Sequence, residues 1–275
     1  MKVSISSRDA GKRVLHFLRE KLDISNQAIK RAIDRGALRL NGVIERFSST
    51  VLQKGDQLAF DQTKLNFKQD FTLPILLEEE GFLLCSKPSG LTTDQEQFQK
   101  LLDRRVFLVH RLDKDTSGVI LIATNQKMQQ KLEKLFKKRE VRKVYVALVK
   151  GSVRAESGTI DNRLIKKKVY QGQAIWGSTK SSTGLRAVTH WKCLQKGKGK
   201  SLLQCEPETG RTHQLRVHLS EMGHPILGDH HYGRATSFPK EIDRLCLHAY
   251  RLSFFHPDTE KKVQATAPIP KFFKI

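Results

Sequence analysis

The chain has 275 residues, of which 38% are hydrophobic and 28% charged, enough for a full-sized core and a second small domain. No run of about 18 apolar residues exists, which excludes a helical membrane span, and Met1-Lys2-Val3-Ser4 opens without the apolar stretch of an export signal. Lys plus Arg number 50 against 28 for Asp plus Glu, a formal charge of +22, and such an excess points to a polyanionic partner, nucleic acid first. Cys85, Cys193, Cys205 and Cys246 form no C-x-x-C pair, so zinc knuckles and redox motifs are not expected. The expectation is a cytoplasmic protein with reduced core thiols.

Residues 1–62 read as a small basic α/β domain. Val14, Leu15, Leu18 and Leu22 recur at helical spacing between Gly11 and Leu22. Ser25 is placed to cap a second helix that runs to Arg35 and ends at Gly36. Ile29, Ala32 and Ile33 form its apolar face, and Lys30, Arg31 and Arg35 stand on the rest. Leu38 to Ile44 carries Asn41-Gly42 between short apolar runs, a hairpin signal. Lys54-Gly55-Asp56 turns into a strand at 57–60. Helix, basic-faced helix, hairpin and Gly-Asp turn together resemble the S-four-like RNA-binding module first known from a ribosomal protein. That resemblance implies contacts from Lys30, Arg31 and Arg35 to structured RNA. Residues 63–74 read as a linker.

From 75 onward the pattern changes. Ile75 to Cys85 predicts strand, acidic turn, strand, followed by the tight turn Lys87-Pro88-Ser89-Gly90. Residues 91–108 read as a loop. His110 to Ser117 is a dense polar knot, and Gly118 with the apolar run Val119–Ala123 predicts a strand buried on both faces. Two carboxylates, an Arg, a Lys and a His beside a buried strand are costly unless they pair or do chemistry. Asn125 caps a helix to about Arg139 whose buried stripe is Met128, Leu132, Leu135 and Phe136. Lys127, Lys131, Lys134 and Lys138 line another face as a candidate phosphate track. Lys143–Val149 predicts a strand.

Strands with turns are expected over 151–165, an exposed loop at Lys166-Lys167-Lys168, and strands at 187–194 and 201–206 joined by a flexible Lys-Gly segment at 195–200. Thr212 is placed as the N-cap of a short helix over 213–222, with Gly223 and Pro225 at its end. Arg211, His213, Gln214 and Arg216 crowd its first turns. Cations there oppose the helix dipole, so the cluster predicts a bound anion.

His110-Arg111-Leu112-Asp113 with Asp115-Thr116-Ser117-Gly118, Lys143-x-Tyr145, and Gly210-Arg211-Thr212-His213-Gln214-Leu215-Arg216 resemble the signature set of the RluA-type RNA pseudouridine synthases. Lys87-Pro88-x-Gly90, Gly223 to Asp229 and Leu247-His248-Ala249 add supporting matches in the same order. The resemblance implies isomerisation of uridine to pseudouridine in RNA without a cofactor. Asp113 matches the family's nucleophile, Arg216 its cationic partner, and Tyr145 the residue that packs on the flipped base and is a candidate to help remove the C5 proton. Arg111 matches a residue that fills the vacated stack. His110, Arg211, His213 and Gln214 are candidates for RNA contacts.

The resulting expectation is an α+β fold: a catalytic domain at 75–275 with a mainly antiparallel mixed sheet, preceded by the small RNA-binding domain. The expected partner is structured RNA, ribosomal or transfer, for a monomer without membrane attachment. A divalent-metal enzyme using Asp113-x-Asp115 with His218, His224, His230 and His231 is the weaker alternative, since Gly223, Pro225 and Gly228 break any helix that would align those His; no metal site is expected. A non-catalytic RNA-binding or ribosome-assembly factor is the other alternative.

Overall fold

The computed structural model describes residues 1–65, 70–170, 173–233, 242 and 244–275. The chain divides into two compact units, Met1–Asp70 with Val169–Gln173, and Phe71–Lys168 with Ala174–Ile275. No helix among the described residues is long and apolar enough to cross a membrane.

The first unit carries β1 (Lys2–Ser4), α1 (Val14–Leu22), α2 (Asn26–Asp34), β2 (Leu38–Leu40), β3 (Val43–Ile44) and β4 (Gln57–Phe60), with a sheet in the order β1-β4-β2-β3. The Ser25 hydroxyl accepts from Ala28 N at 3.2 Å and caps α2. Asn41 and Gly42 both take positive φ, 52° and 81°, which gives the β2–β3 hairpin its tight turn. Val14, Phe17, Leu18, Ile29, Ile33 and Leu58 close a core beneath both helices.

The second unit is built on one mixed sheet. Its elements are β5 (Ile75–Glu79), β6 (Phe82–Lys87), α3 (Gln95–Leu102), β7 (Phe107–Leu108), β8 (Ser117–Ala123), α4 (Gln126–Lys138), β9 (Arg142–Lys150), β10 (Ser157–Tyr170), β11 (Gln173–Thr179), β12 (Leu185–Gly197), β13 (Lys200–Pro207), α5 (Gln214–Glu221), β14 (Leu247–Phe255) and β15 (Lys262–Thr266). Strand order is β11-β10-β12-β13-β9-β14-β8-β6-β5, with β15 on β14 and β7 on β8. The β8–β14 pair is parallel, and the neighbouring β6–β8, β9–β14 and β9–β13 pairs are antiparallel.

β8 sits between two cores. Val119, Leu121 and Ala123 pack with Phe82, Leu84 and Leu252, while Ile120 and Ile122 pack with Leu83, Phe98 and Leu112. Alternate residues of a strand point to opposite faces, so a fully apolar run is the sequence of a strand covered on both. Gly118 has φ +112°, and a Cβ there would lie 2.1 Å from the Ala249 carbonyl oxygen. Only glycine lets β8 and β14 approach at this point, where the polar loop feeds into the sheet.

Four stretches depart from expectation. Residues 91–108 contain helix α3 rather than a continuous loop: Asp94 Oδ1 accepts from Gln97 N at 3.0 Å, and Phe98 is fully buried. Lys166–Lys168 lie inside β10, and β12 and β13 run on through the Lys-Gly segment to a turn at Lys198-Gly199. Exposed lysines do not break a strand when every backbone group is paired across a hairpin. The α4 lysine track is incomplete, because Lys131 is bound by Asp258 from the β14–β15 turn.

Candidate active site

The backbone of the loop from His110 to Ser117 is tied down by hydrogen bonds from several neighbouring segments. Lys87, with no exposed surface, points Nζ at the carbonyls of Pro88, Leu91 and Lys114 at 3.0, 2.7 and 3.0 Å. Burial draws this amine down to about 7, while Asp115 and Asp113 favour its charge. Three carbonyl acceptors match the three N–H bonds of an ammonium, so the geometry selects the charged form. Gly90 N donates to Lys114 O, the Ser89 hydroxyl to Asp115 O, and the Thr93 hydroxyl to Leu112 O. Thr116 N donates to Asp113 O at 3.1 Å and closes the turn. At the two ends, His110 Nε2 accepts from Leu121 N at 3.0 Å, and Ser117 Oγ meets His248 Nδ1 at 2.9 Å. The carboxylate of Asp113 is left at the tip of this fixed backbone.

Arg216 reaches that carboxylate from the first turn of α5. Its Nε and Nη2 donate to Asp229 at 2.7 and 2.9 Å in a bidentate pair, and its Nη1 lies 3.5 Å from Asp113 Oδ2. Asp229 also accepts from His231 N and Tyr232 N at 3.0 and 3.1 Å. Burial would raise the Asp229 pKa, but Arg216 and the two backbone amides outweigh it and hold this carboxyl below its ordinary value. The guanidinium also lies 5.1 Å above the Tyr232 ring. The cationic partner of Asp113 is therefore itself anchored on two sides.

His213 completes the surround. Its Nε2 is 3.9 Å from Asp113 Oδ2, and its Nδ1 is 2.8 Å from the Tyr232 hydroxyl. That hydroxyl accepts from Trp176 N, leaving its own proton for Nδ1 and assigning the imidazole proton to Nε2, the atom facing Asp113. Burial, reinforced by Arg216, draws His213 down to about 4, so it stands neutral at pH 7.

Asp113, Tyr145 and Arg216 line one cavity of about 290 Å³, together with His110, Arg111, Arg211, His213 and Gln214. Tyr145 arrives from β9, in register with Cys205 on β13 and Ala249 on β14. Burial and then the Asp113 charge push its phenol pKa up, so it stays protonated. Arg111 is exposed at the cavity wall. Lys30 and Arg31 are exposed on α2 in the first unit.

Other expected contacts are taken up within the protein. Gln214 is buried and its amide is saturated: Oε1 accepts from Thr209 and Arg211 N, and Nε2 donates to Val188 O and Thr189. It braces the 209–214 turn and has nothing left to offer RNA. His110 stacks on Phe136 with ring centroids 4.6 Å apart and fixes its loop to β8, and burial draws it down to about 3, a neutral imidazole. Arg211 Nε donates to Arg186 O, and Arg35 Nη1 to Lys64 O. The cap of α5 also differs from expectation. His213, not Thr212, occupies the cap position, with φ 56°, because its ring is drawn between Tyr232 and Asp113. The anion that the crowded cations required is protein carboxylate, Asp229 and Asp113.

Three important residues were given no role from the sequence: Asp229 and Lys87 stood only within supporting matches, and Tyr232 stood in none. A signal existed for the first. An Arg between Leu215 and Val217 on a short helix faces the interior, and a buried guanidinium needs a carboxylate partner.

Comparison with known proteins follows the same lines. The sequence model described as RNA pseudouridylate synthase matches residues 81–221. A ribosomal large subunit pseudouridine synthase C from Vibrio parahaemolyticus is 31% identical over 97% of this chain and 92% of its own. The protein of the same name from Salmonella typhi is 30% identical over 99% and 94%. Among solved structures, Human RNA Pseudouridylate Synthase Domain Containing 1 superposes with a TM-score of 0.64 at 28% identity, covering 74% of this chain and 86% of that one. The matched segment runs from β6 to α5 and so carries Asp113, Tyr145 and Arg216. With relatives aligned over nearly its whole length, the chain belongs to the RluA-type family of RNA pseudouridine synthases.

Proposed function

We propose that this enzyme isomerises uridine in large-subunit ribosomal RNA, with Asp113 as its nucleophile acting on a base flipped into the Asp113–Tyr145–Arg216 cavity. The observation that carries the reading is the division of Arg216 between two carboxylates: two of its nitrogens are held by Asp229 and the third faces Asp113 at 3.5 Å. A nucleophile needs a fixed countercharge and free lone pairs together. Among the described residues the Asp113 side chain accepts no hydrogen bond shorter than that ion-pair distance.

In the reaction the N1–C1′ bond breaks, the uracil turns in the cavity, and C5 bonds to C1′; the C5 proton leaves and N1 gains one, so the product is an isomer. Asp113 forms the transient covalent bond, to the sugar or to the base, and is released when C5–C1′ forms. Tyr145, kept as a neutral phenol, serves to pack against the uracil rather than as a base. The target base must leave its stack, at a cost of a few kcal/mol. Arg111, exposed at the cavity wall, fills the gap in this reading. Residues 1–62 are an S-four-like domain that holds the phosphates of structured RNA through Lys30 and Arg31, with 63–74 as linker and 75–275 as the catalytic domain. The relatives named for the large ribosomal subunit favour that RNA over transfer RNA.

Mapping pseudouridines in total RNA from cells with and without the gene identifies the target. Complementation with Asp113→Asn tests the nucleophile. Sites that vanish with the gene and return only with the intact carboxylate support the reading; sites restored by Asp113→Asn refute it.

A further inference from the structure

A second cavity, of about 330 Å³, adjoins the first and shares Lys143 and Pro207 with it. Its charges are unevenly satisfied. Glu206 is held bidentately by Arg142 at 2.9 and 3.0 Å, Glu208 meets His190 Nε2 at 2.6 Å, and Glu140 lies 3.9 Å from Lys138. Each carboxylate in this cavity therefore has its own partner. Two cations do not. Among the described residues, neither the Lys143 ammonium nor the Arg139 guanidinium has a hydrogen bond or an ion pair, although Lys143 is half-buried. The two lie close enough for Arg139 to oppose the charge of Lys143, which burial and that repulsion draw down to about 8. The Lys143 Nζ points toward Gly210, at the start of the turn leading into α5, 4.0 Å from where a Cβ would stand.

Arg139 is also costly where it is. It ends α4 in the left-handed conformation, φ 63°, a position where glycine relieves strain. It is the only Lys or Arg with positive φ among the described residues. Two neighbouring unpaired cations, one partly desolvated and one on a strained cap, destabilise each other unless an anion joins them.

We propose that Arg139 and Lys143 form a phosphate subsite that grips the RNA strand next to the target uridine, the second cavity taking the adjoining nucleotide. This rests on the reading that the Asp113 cavity receives the uridine. Because Lys143 borders both cavities, a strand that runs from the first into the second meets both cations. Phosphate contacts fix register without reading sequence, so the subsite aligns the uridine for Asp113 in any RNA of suitable shape.

The test uses the full-length protein and an unmodified large-subunit ribosomal RNA transcript, with unmodified transfer RNA as second substrate. Once the modified uridine is mapped, the RNA is sparsely ethylated at phosphates, and the species that fail to bind are identified. For the wild type, ethylation next to the modified uridine should block binding. Lys143→Gln and Arg139→Gln should each lose sensitivity at that linkage alone and weaken binding by ~10-fold, the cost of a hydrogen bond to a charged group. Their salt dependence should become shallower by about one counterion each, and Lys143→Arg should restore the wild-type pattern. Because Arg139 is exposed, its variant separates phosphate binding from any folding defect at Lys143. An ethylation pattern unchanged in both Gln variants, with wild-type pseudouridine formed normally, overturns the subsite and leaves the Asp113 reading standing. A wild type that forms no pseudouridine in either RNA removes that reading and the subsite with it.

Discussion

Asp113 and Asp229 bind the same guanidinium and differ in almost everything else. Asp229 is 1% exposed, takes two short charge-assisted bonds from Arg216 and two more from backbone amides. Asp113 has a side chain 24% exposed, sits 3.5 Å from the third guanidinium nitrogen, and lines a cavity. A carboxylate with its lone pairs filled is a structural member; one with a fixed cation nearby and its lone pairs free can react. Arg can serve both because its planar fork presents separate edges, which a lysine point charge cannot do.

The largest effect should fall on the carboxylate proposed as nucleophile. Asp113→Asn is expected to lower pseudouridine formation on the order of 10^4-fold or more, as loss of a nucleophile does elsewhere, with stability within about 0.5 kcal/mol of wild type. Single-turnover conversion and thermal unfolding check the two halves; a variant that keeps its rate would erase the distinction drawn between the carboxylates.

The reverse pattern is expected at the structural member. Arg216→Met leaves the Asp229 charge buried and unpaired, a loss of about 3–5 kcal/mol, much of which the double variant Arg216→Met, Asp229→Leu should recover. Denaturant unfolding reads both; equal stability of the two variants would show that the pair is not what holds this corner.

Asp229→Asn keeps the volume and weakens the anchor. The guanidinium is then free to turn toward Asp113, and kcat should fall by ~10²-fold, the scale of a small misplacement at a reacting centre, while RNA affinity stays near wild type. An unaltered kcat would mean that the position of Arg216 is set by α5 and the Tyr232 ring alone.

Lys87→Met tests the frame beneath Asp113. It leaves the Pro88, Leu91 and Lys114 carbonyls short of a donor, at about 1–3 kcal/mol for an unmet buried group. Hydrogen exchange at residues 112–117 should accelerate more than elsewhere in the sheet.

The smallest effect is that of acid. His218 and His248 are held neutral, chiefly by burial, with folded values of about 4 against an ordinary 6.5. The unfolded chain takes up protons first, so their contribution is full above pH 6.5 and is lost as pH falls from 6.5 toward 4. Asp229, lowered below 3.8, loses its contribution only at more acid pH still. Melting temperatures between pH 7.5 and 4.5 should decline less steeply in His218→Gln; an unchanged slope would count against a neutral His218.

Local sequence foretold the parts whose physics is local. The Val119–Ala123 run required a strand covered on both faces, Ser25 and Asn125 capped their helices, and Asn41-Gly42 made its turn, because each depends on residues a few positions apart. The motifs also placed Asp113, Tyr145 and Arg216 in one reaction, and the fold brings them to one cavity. What the sequence could not rank was how each polar side chain is used. Gln214 and His110 read as RNA contacts, but their hydrogen bonds close inside the protein, to Thr209, Val188 and Leu121. Asp229 stood only as the last residue of a supporting match, and it holds Arg216. By itself, then, the sequence determined the chemistry available, the family and most of the elements, since these follow from residue type and short spacing. The tertiary structure alone decided which carboxylate is saturated and which is left open, because that depends on bonds between segments that are distant in the chain and meet only on folding.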